Sequence, residues 1–508
     1  MIDQTIQVVG FLAYLFIFAV GVAVLVVAVV FVRDISQTKN AIRRNYPVIG
    51  RFRYLFERLG EFFRQYFFAL DREELPFNRA ERSWVYRAAE GADSTVAFGS
   101  TRDLRPVGTV IFVNCAYPVL ERDVAEPRPI TVGPLCKRPY TTSAIFNVSG
   151  MSFGAISRPA VLALSKGARE AGIWLNTGEG GLSAYHLEGG ADLVFQIGTA
   201  KYGVRDQHGG LSEEKLRVVA AHEQVRMFEL KLSQGAKPGK GGILPAAKVT
   251  EEIAGIRGIP AGQDSLSPNR HPEVDGAGGL LRLIGRIREI TGKPTGFKAV
   301  IGAYGWLDEL FEEIRVHGAE SAPDFISIDS GDGGTGAAPM PLMDNVGLPI
   351  RESLPLVVDK LHHYGLRDRV KVVGSGKMIT PADAAWALCA GADFVASARG
   401  FMFALGCIQA LRCNKNTCPT GITTHDRRLQ KGLNPTDKAE RVARYARQMT
   451  QEIGIIAHSC GVHEPRALRR MHCRVVMDTG RSLALDEIYP DVAPDQDRAA
   501  GSGGGGSR

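Results

Sequence analysis

The chain has 508 residues, 45% of them hydrophobic, and a formal net charge of +7, so a sizeable core is available and one large barrel or two to three ordinary domains would fit. The basic residues form no long run and no nucleic-acid-binding motif occurs, which excludes a DNA- or RNA-binding protein. Eight cysteines in this length exclude a disulfide scaffold, and 58 glycines, mostly in short clusters, point to loops that let backbone approach a ligand closely.

The first predicted element is residues 8–32, a run of 25 residues without a charge. As a helix it would span about 37 Å, enough to cross a bilayer with some tilt. A cleaved signal peptide fits poorly: Asp3 precedes the run, no Lys or Arg does, and no small-x-small site stands before Arg33. Arg33, Lys39, Arg43, Arg44, Arg51 and Arg53 follow it. By the positive-inside bias, residues 1–7 are an extracytoplasmic tip and the rest of the chain is cytoplasmic. Within the basic segment 33–85, residues 52–68 interleave Phe52, Tyr54, Phe56, Phe62, Phe63, Tyr66, Phe67 and Phe68 with Arg53, Arg58 and Arg64. Two readings stand: a helix lying on the anionic cytoplasmic leaflet, or one packing its aromatic face on the catalytic body.

After a lead-in over 86–140, β-branched runs alternate with helical stretches. Candidate strands include 143–148, 297–301, 325–329, 370–374 and 394–397, with helices such as 280–290 and 381–390 between them. That alternation predicts an α/β fold with a parallel sheet, and residues 141–430 have the length of a (β/α)8 TIM barrel. A doubly wound sheet is the rival, but no GxGxxG follows an early strand. Glycines directly follow three of the strands: Asp332-Gly333-Gly334-Thr335-Gly336, Gly374-Ser375-Gly376 and Ala398-Arg399-Gly400. Such loops expose backbone N–H groups, and barrels commonly bind phosphate in the loops after strands seven and eight.

Cys407, Cys413 and Cys418 form a C-x5-C-x4-C loop ending in Cys-Pro. Three soft thiolates suit a cluster with cysteine-held irons better than structural zinc, which wants four ligands at tighter spacing. Cys460, His463, His472 and Cys473 have no standard zinc spacing and read as core or surface residues; Cys115, Cys136 and Cys389 read as small apolar ones. Residues 431–490 read as a helical extension, and 491–508 as a tail whose glycine–serine end, 501–508, is a flexible linker without functional content.

The segments Gly150-Met151-Ser152-Phe153-Gly154-Ala155-Ile156-Ser157, Asn176-Thr177-Gly178-Glu179-Gly180-Gly181, Gln234-Gly235-Ala236-Lys237-Pro238-Gly239 and Asp332-Gly333-Gly334-Thr335-Gly336-Ala337, with the cysteine loop, resemble the FMN-binding synthase domain of glutamate synthase, in that family's order. The spanning N-terminus resembles its membrane subgroup. The resemblance implies FMN in the barrel and a 3Fe–4S cluster on Cys407, Cys413 and Cys418. It puts Met151, Ser152, Phe153 and Gly154 along the flavin, with Asp332 to Gly336, Gly374, Ser375, Gly376, Ala398 and Arg399 completing the cofactor site. Lys298 matches a lysine at the flavin N1/O2 edge, where a fixed cation stabilises the anionic reduced ring. Gln234, Lys237 and Arg257 match the groups that hold the 2-oxoacid, and Glu179 one that stands near the incoming ammonia. The implied reaction is reductive amination of 2-oxoglutarate to glutamate, with electrons entering through the cluster.

Several departures accompany the match. Residue 2 is Ile and no nucleophilic cysteine domain precedes the barrel, so glutamine hydrolysis is not expected and ammonia comes from outside. Lys240 stands where the family carries an acid, and Ser267-Pro268-Asn269-Arg270-His271-Pro272 matches its counterpart only in part. An electron donor or acceptor, protein or quinone, is implied; a homo-oligomer is left open. The competing class is a membrane-anchored flavin and iron–sulfur electron-transfer subunit, which would have no use for Gln234, Lys237 and Arg257. A 2-hydroxyacid oxidase would need a histidine base and no cluster, so the three cysteines speak against it.

Overall fold

The computed structural model describes residues 2–493; the glycine–serine end of the chain, 501–508, lies outside them. Two units are distinguished, one up to Ala80 and one from Glu81 onward.

The first unit is helical. A helix of 35 residues, Ile2–Ser36, holds the uncharged run, and its large apolar side chains from Ile6 to Ile35 are mostly exposed. By length and composition it is a helix that could cross a membrane. Gln37 and Asn40 then turn the chain, and the Asn40 side chain caps the short helix Ala41–Asn45 by accepting from the Arg43 amide at 3.1 Å. Beyond Pro47, a helix over Gly50–Phe63 continues through a wider turn at Arg64–Phe68.

The second unit is built on a closed barrel of eight parallel strands: Phe146–Val148 (β1), Leu175–Asn176 (β2), Leu193–Ile197 (β3), Val225–Lys231 (β4), Thr295–Val300 (β5), Phe325–Asp329 (β6), Lys371–Ser375 (β7) and Phe394–Ser397 (β8). Each strand pairs with its neighbour in sequence, and β8 closes on β1. Strands covered on both faces read as near-continuous apolar runs, and those of this barrel are buried throughout apart from Arg226 and Lys371. Outer helices include Arg158–Ala171, Ala277–Thr291, Gly305–His317, Ile350–His363 and Pro381–Cys389. Pro435–Ser459 packs along Arg158–Ala171 and completes the ring, although its sequence reads as part of an extension past residue 430. Gly167 permits that closeness: a Cβ there would lie 2.5 Å from the Ala439 carbonyl oxygen.

The two barrel ends are finished differently. At the N-terminal end a hairpin, Ile130–Val132 with Tyr140–Thr142, contributes Val132 and Tyr140 to a buried cluster with Trp174, Val194, Met227, Phe325, Val373, Phe394 and Ala396. Just before β6, the fully buried Asp324 accepts from Arg288 Nε at 2.9 Å, Arg369 Nη2 at 2.8 Å and the Thr295 amide at 2.8 Å. At the C-terminal end the strands run into glycine-bearing loops. One long excursion between β4 and β5 carries a hairpin, Ile243–Leu244 with Ser265–Leu266, and a helix, Glu251–Arg257, capped by the Thr250 side chain. Outside the barrel, Val110–Phe112 pairs with Cys473–Val476, which pairs in turn with Ser482–Ala484.

Candidate active site

Strand alternation places Glu229 and Lys231 on the same face of β4. The register sets Lys231 beside Lys298 on β5, and Lys298 beside Ser327 on β6. These polar groups are buried, so each must find a partner. Lys298 Nζ lies 2.9 Å from Asp329 Oδ2 and 3.5 Å from Ser149 Oγ. Burial opposes its charge, but Asp329, with Glu229 and Glu179 nearby, outweighs that and holds the ammonium above its usual range. Glu229 accepts from Asn176 Nδ2 at 2.8 Å, Gln196 Nε2 at 2.7 Å and Ser327 Oγ at 2.5 Å. Below the mouth, the strand ends therefore form one hydrogen-bonded layer around a fixed cation.

Above it opens a cleft of about 990 Å³, counted out to its mouth, lined among others by Met151, Ser152, Glu179, Gln234, Lys237 and Arg257. Gly334, Thr335, Gly336, Ala398, Arg399 and Cys413 line the same cleft. A second recess of about 530 Å³ shares Gln234, Gly334, Ala398 and Arg399 with it and adds Lys298, Ser375, Gly376 and Lys377. Gly178 brings the β1 and β2 loops together: its φ is +66°, and a Cβ would sit 2.5 Å from the Ser152 amide nitrogen.

The charges here are unequal. Glu179 Oε1 pairs with Lys231 Nζ at 2.8 Å. Burial works against ionisation of Glu179, yet Lys231, Lys237 and Arg257 together keep its carboxyl below the usual range. Lys237 is pulled down to about 8, first by burial and then by the like charge of Lys231. Arg257 donates Nη1 to Ser265 Oγ at 3.0 Å, its guanidinium lies 4.9 Å from the Tyr202 ring centre, and Ser265 Oγ bonds Tyr202 at 2.8 Å. Its buried Nε has no partner among the described residues. Gln234 Nε2 donates to Thr335 Oγ1 at 2.9 Å, and Arg399 donates to the Thr335 carbonyl.

Other expected site residues do not line these two recesses directly. Phe153 is buried against Tyr185 and His425. The Gly154 carbonyl receives His425 Nε2 at 2.8 Å. Asp332 is turned onto Lys377 at 2.8 Å and onto Ser330, while Gly333 packs closely on Ser330 and Gly235. Gly374 faces the helix layer, where a Cβ would meet Ala387 and Leu354 at 3.6 Å. Sequence reasoning missed Glu229, Lys231, Gln196 and Tyr202. The first two carry a readable signal, two charges spaced two residues apart in an apolar strand; Gln196 and Tyr202 carry none.

The residues of the paired recesses fit a flavin phosphate. The amides of Gly376, Lys377, Ala398 and Arg399 donate to no acceptor among the described residues, and Lys298 supplies a cation at the other end. In the cysteine loop, burial raises the Cys407 thiol, whereas at Cys418 hydrogen bonding, including that of Thr420 Oγ1 at 3.3 Å, outweighs burial and favours the thiolate. Arg399 Nη1 lies 3.7 Å from Cys413 Sγ, and Lys248 Nζ bonds the carbonyls of Ala155 and Cys413 at 2.6 and 3.3 Å, tying this loop to the one after β1. Among the described residues no three His, Cys, Asp or Glu side chains gather closely enough to hold a single metal ion.

A (β/α)8 barrel with a charged cleft at its strand ends defines an enzyme of the barrel class, its site where such enzymes carry it. The profile of the conserved region in glutamate synthase matches residues 111–463, and the chain belongs to that family, as a glutamate-synthase-like oxidoreductase domain. It is 38% identical to the glutamate synthase large subunit-like protein YerD of Bacillus subtilis (strain 168), over 92% of this chain and 96% of that one. It is 36% identical to an archaeal-type glutamate synthase [NADPH] of Thermotoga maritima, over 63% of this chain and 60% of the relative. Among solved structures, a mandelate oxidase aligns with a TM-score of 0.44 and 15% identity, over 78% of this chain and 98% of that one.

Proposed function

We propose that the protein reductively aminates a 2-oxoacid, 2-oxoglutarate to glutamate, using FMN, an iron–sulfur cluster and externally supplied ammonia and electrons. The observation that carries this reading is the charge surplus in the cleft: Lys231, Lys237 and Arg257 face a single carboxylate, Glu179. Two uncompensated cations suit the two carboxylates of a 2-oxo dicarboxylic acid. Arg257 is held rigid by Tyr202 and Ser265, so it grips one carboxylate with little loss of side-chain freedom. Lys237, on the loop after β4, takes the other. Glu179, kept ionised, would hold the incoming ammonium beside the keto carbon by its charge. FMN, when bound, would supply hydride to the resulting imine, and Lys298 would stabilise the negative charge left on the reduced ring. Cys407, Cys413 and Cys418 would hold the cluster through which electrons arrive.

The exposed apolar helix Ile2–Ser36 supports a single membrane span, N-terminus out, with the catalytic unit in the cytoplasm. It also keeps the alternative alive, a flavin and iron–sulfur subunit serving a quinone or a membrane reductase. One anaerobic experiment separates the two. The reduced, detergent-purified protein is titrated with 2-oxoglutarate and ammonium. Rapid reoxidation with stoichiometric glutamate is the expected result. A bound flavin and cluster that respond to no oxoacid would favour the electron-transfer reading. Iron and acid-labile sulfide that vanish in Cys413→Ser would identify the cluster; their absence from the unmutated protein would remove it from the proposal.

A further inference from the structure

Helix Gly50–Phe63 and the turn Arg64–Phe68 have two faces of opposite chemistry. At about 100° per residue, Phe52, Leu55, Phe56, Phe62 and Phe63 fall within an arc of roughly 120°, and Phe67 follows in the wider turn. These six side chains are 41–67% exposed, in a segment that is otherwise well folded. Such a face is far too apolar to be a solvated surface.

One edge of the stripe and the side opposite it are tied down. Arg51 grips Asp34 in two-pronged fashion, Nη2 to Oδ1 at 2.6 Å and Nε to Oδ2 at 2.9 Å, while the Val48 amide donates to Asp34 Oδ2 at 3.0 Å. Asn40 Nδ2 donates to the Tyr54 hydroxyl at 2.9 Å, and the Arg43 guanidinium lies 4.9 Å from the Tyr54 ring centre. Asp34 is itself 1% exposed. Arg51, at the edge of the aromatic stripe, and Tyr54, opposite it, carry the clasp, which leaves the stripe itself exposed.

Depth follows from the same contacts. Asp34 stands two residues past Val32, where the uncharged run ends. If that run spans the bilayer, Asp34 lies at headgroup level, and its bond to Arg51 sets the start of the second helix at that level too. Arg53, Arg58 and Arg64 border the aromatic stripe, while Glu57 and Glu61 sit on the far side. Arginines beside a sunken aromatic face match anionic phosphate groups.

We propose that residues 50–68 form a second membrane-seating element: a helix lying in the plane of an anionic phospholipid surface, held there by the Asp34–Arg51 clasp. The proposal rests on the reading of Ile2–Ser36 as a membrane span. Aromatic side chains settle among the acyl chains, arginines meet the phosphates, and the catalytic unit follows a short way along the chain.

The full-length protein, reconstituted in phosphatidylcholine vesicles with added phosphatidylglycerol, carries the photoreactive residue p-benzoylphenylalanine at Leu25, Phe56, Phe63 or Glu57 in turn. Mass spectrometry after illumination should find lipid adducts at Leu25, Phe56 and Phe63 and their loss at Glu57. Peptide adducts from Phe56 and Phe63, to the barrel or to a second copy, with lipid adducts retained at Leu25, would overturn the proposal; so would the absence of any adduct at those two positions. Lack of a lipid adduct at Leu25 would instead defeat the spanning reading on which it rests. Arg51→Ala should cut the lipid adduct at Phe56 and leave that at Leu25, and an unchanged yield would refute the clasp. Equal yields in pure phosphatidylcholine would refute the anionic preference.

Discussion

The same eight strands end in two opposite environments. Toward their N-terminal ends the barrel is sealed by Trp174, Phe394, Val132 and Tyr140, and its one deep acid, Asp324, is neutralised by two arginines. Toward their C-terminal ends it holds Lys231, Lys237 and Arg257 against one carboxylate, with Arg257 Nε left unpartnered. Both ends bury charge: at the lower one Lys293 Nζ is held by the carbonyls of Ala220, His222 and Val225 and Asp324 by two arginines, whereas at the upper one three cations share the carboxylate of Glu179. Unsatisfied charge is costly in a protein interior, and it persists where a ligand is meant to complete it. The contrast separates stability from chemistry along a distance of a few residues per strand.

That separation can be broken by substitution. Trp174→Ala removes the largest ring of the lower cluster and should cost about 3–5 kcal/mol of stability. Denaturant unfolding should record that loss, while kcat/KM measured at a permissive temperature stays near the unmutated value. A large fall in kcat/KM would show that the two ends are mechanically coupled. At the upper end, Arg257→Ala should lower kcat/KM for the oxoacid by about a hundredfold, equivalent to about 2.7 kcal/mol. Unfolding of this variant should change little, since Glu179 keeps Lys231 as partner. The smallest effect is one of pH. Lys237, lowered to about 8, loses its proton as the pH rises through that value, so kcat/KM should fall by up to about tenfold per pH unit above it. Lys237→Arg, which stays charged, should flatten that limb if the side chain acts through its charge.

Much of this contrast is legible in the sequence, and the rest is hidden for physical reasons. Five strands announce themselves as β-branched runs ending in glycine loops. β2 is only the pair Leu175–Asn176, too short for any periodicity, and β4 carries Arg226, Glu229 and Lys231, which disguise a buried strand. The residues that the motifs single out, Glu179, Gln234, Lys237 and Arg257, line one cleft. The motifs do not give side-chain direction. Gly374 and Asp332 belong to matching glycine loops, yet one faces the helices and the other an ion pair with Lys377. Pro435–Ser459 was equally opaque, since nothing local says that a helix so far beyond β8 closes the ring against Arg158–Ala171.

The excursion between β4 and β5 has a wider consequence. Residues 232–276 supply Gln234, Lys237 and Arg257 as well as Ser265, whereas Glu229, Lys298 and Asp329 belong to the strands. Under the proposed function, most of the groups that would recognise the acid lie in one contiguous stretch of chain, joined there by Glu179 and Tyr202, while the scaffold beneath lies in the strands. If the proposed function holds, a lineage could exchange that stretch and change the acid acted upon while keeping the strands beneath it. A protein engineer could do the same with a single cassette, leaving the barrel as a reusable chassis.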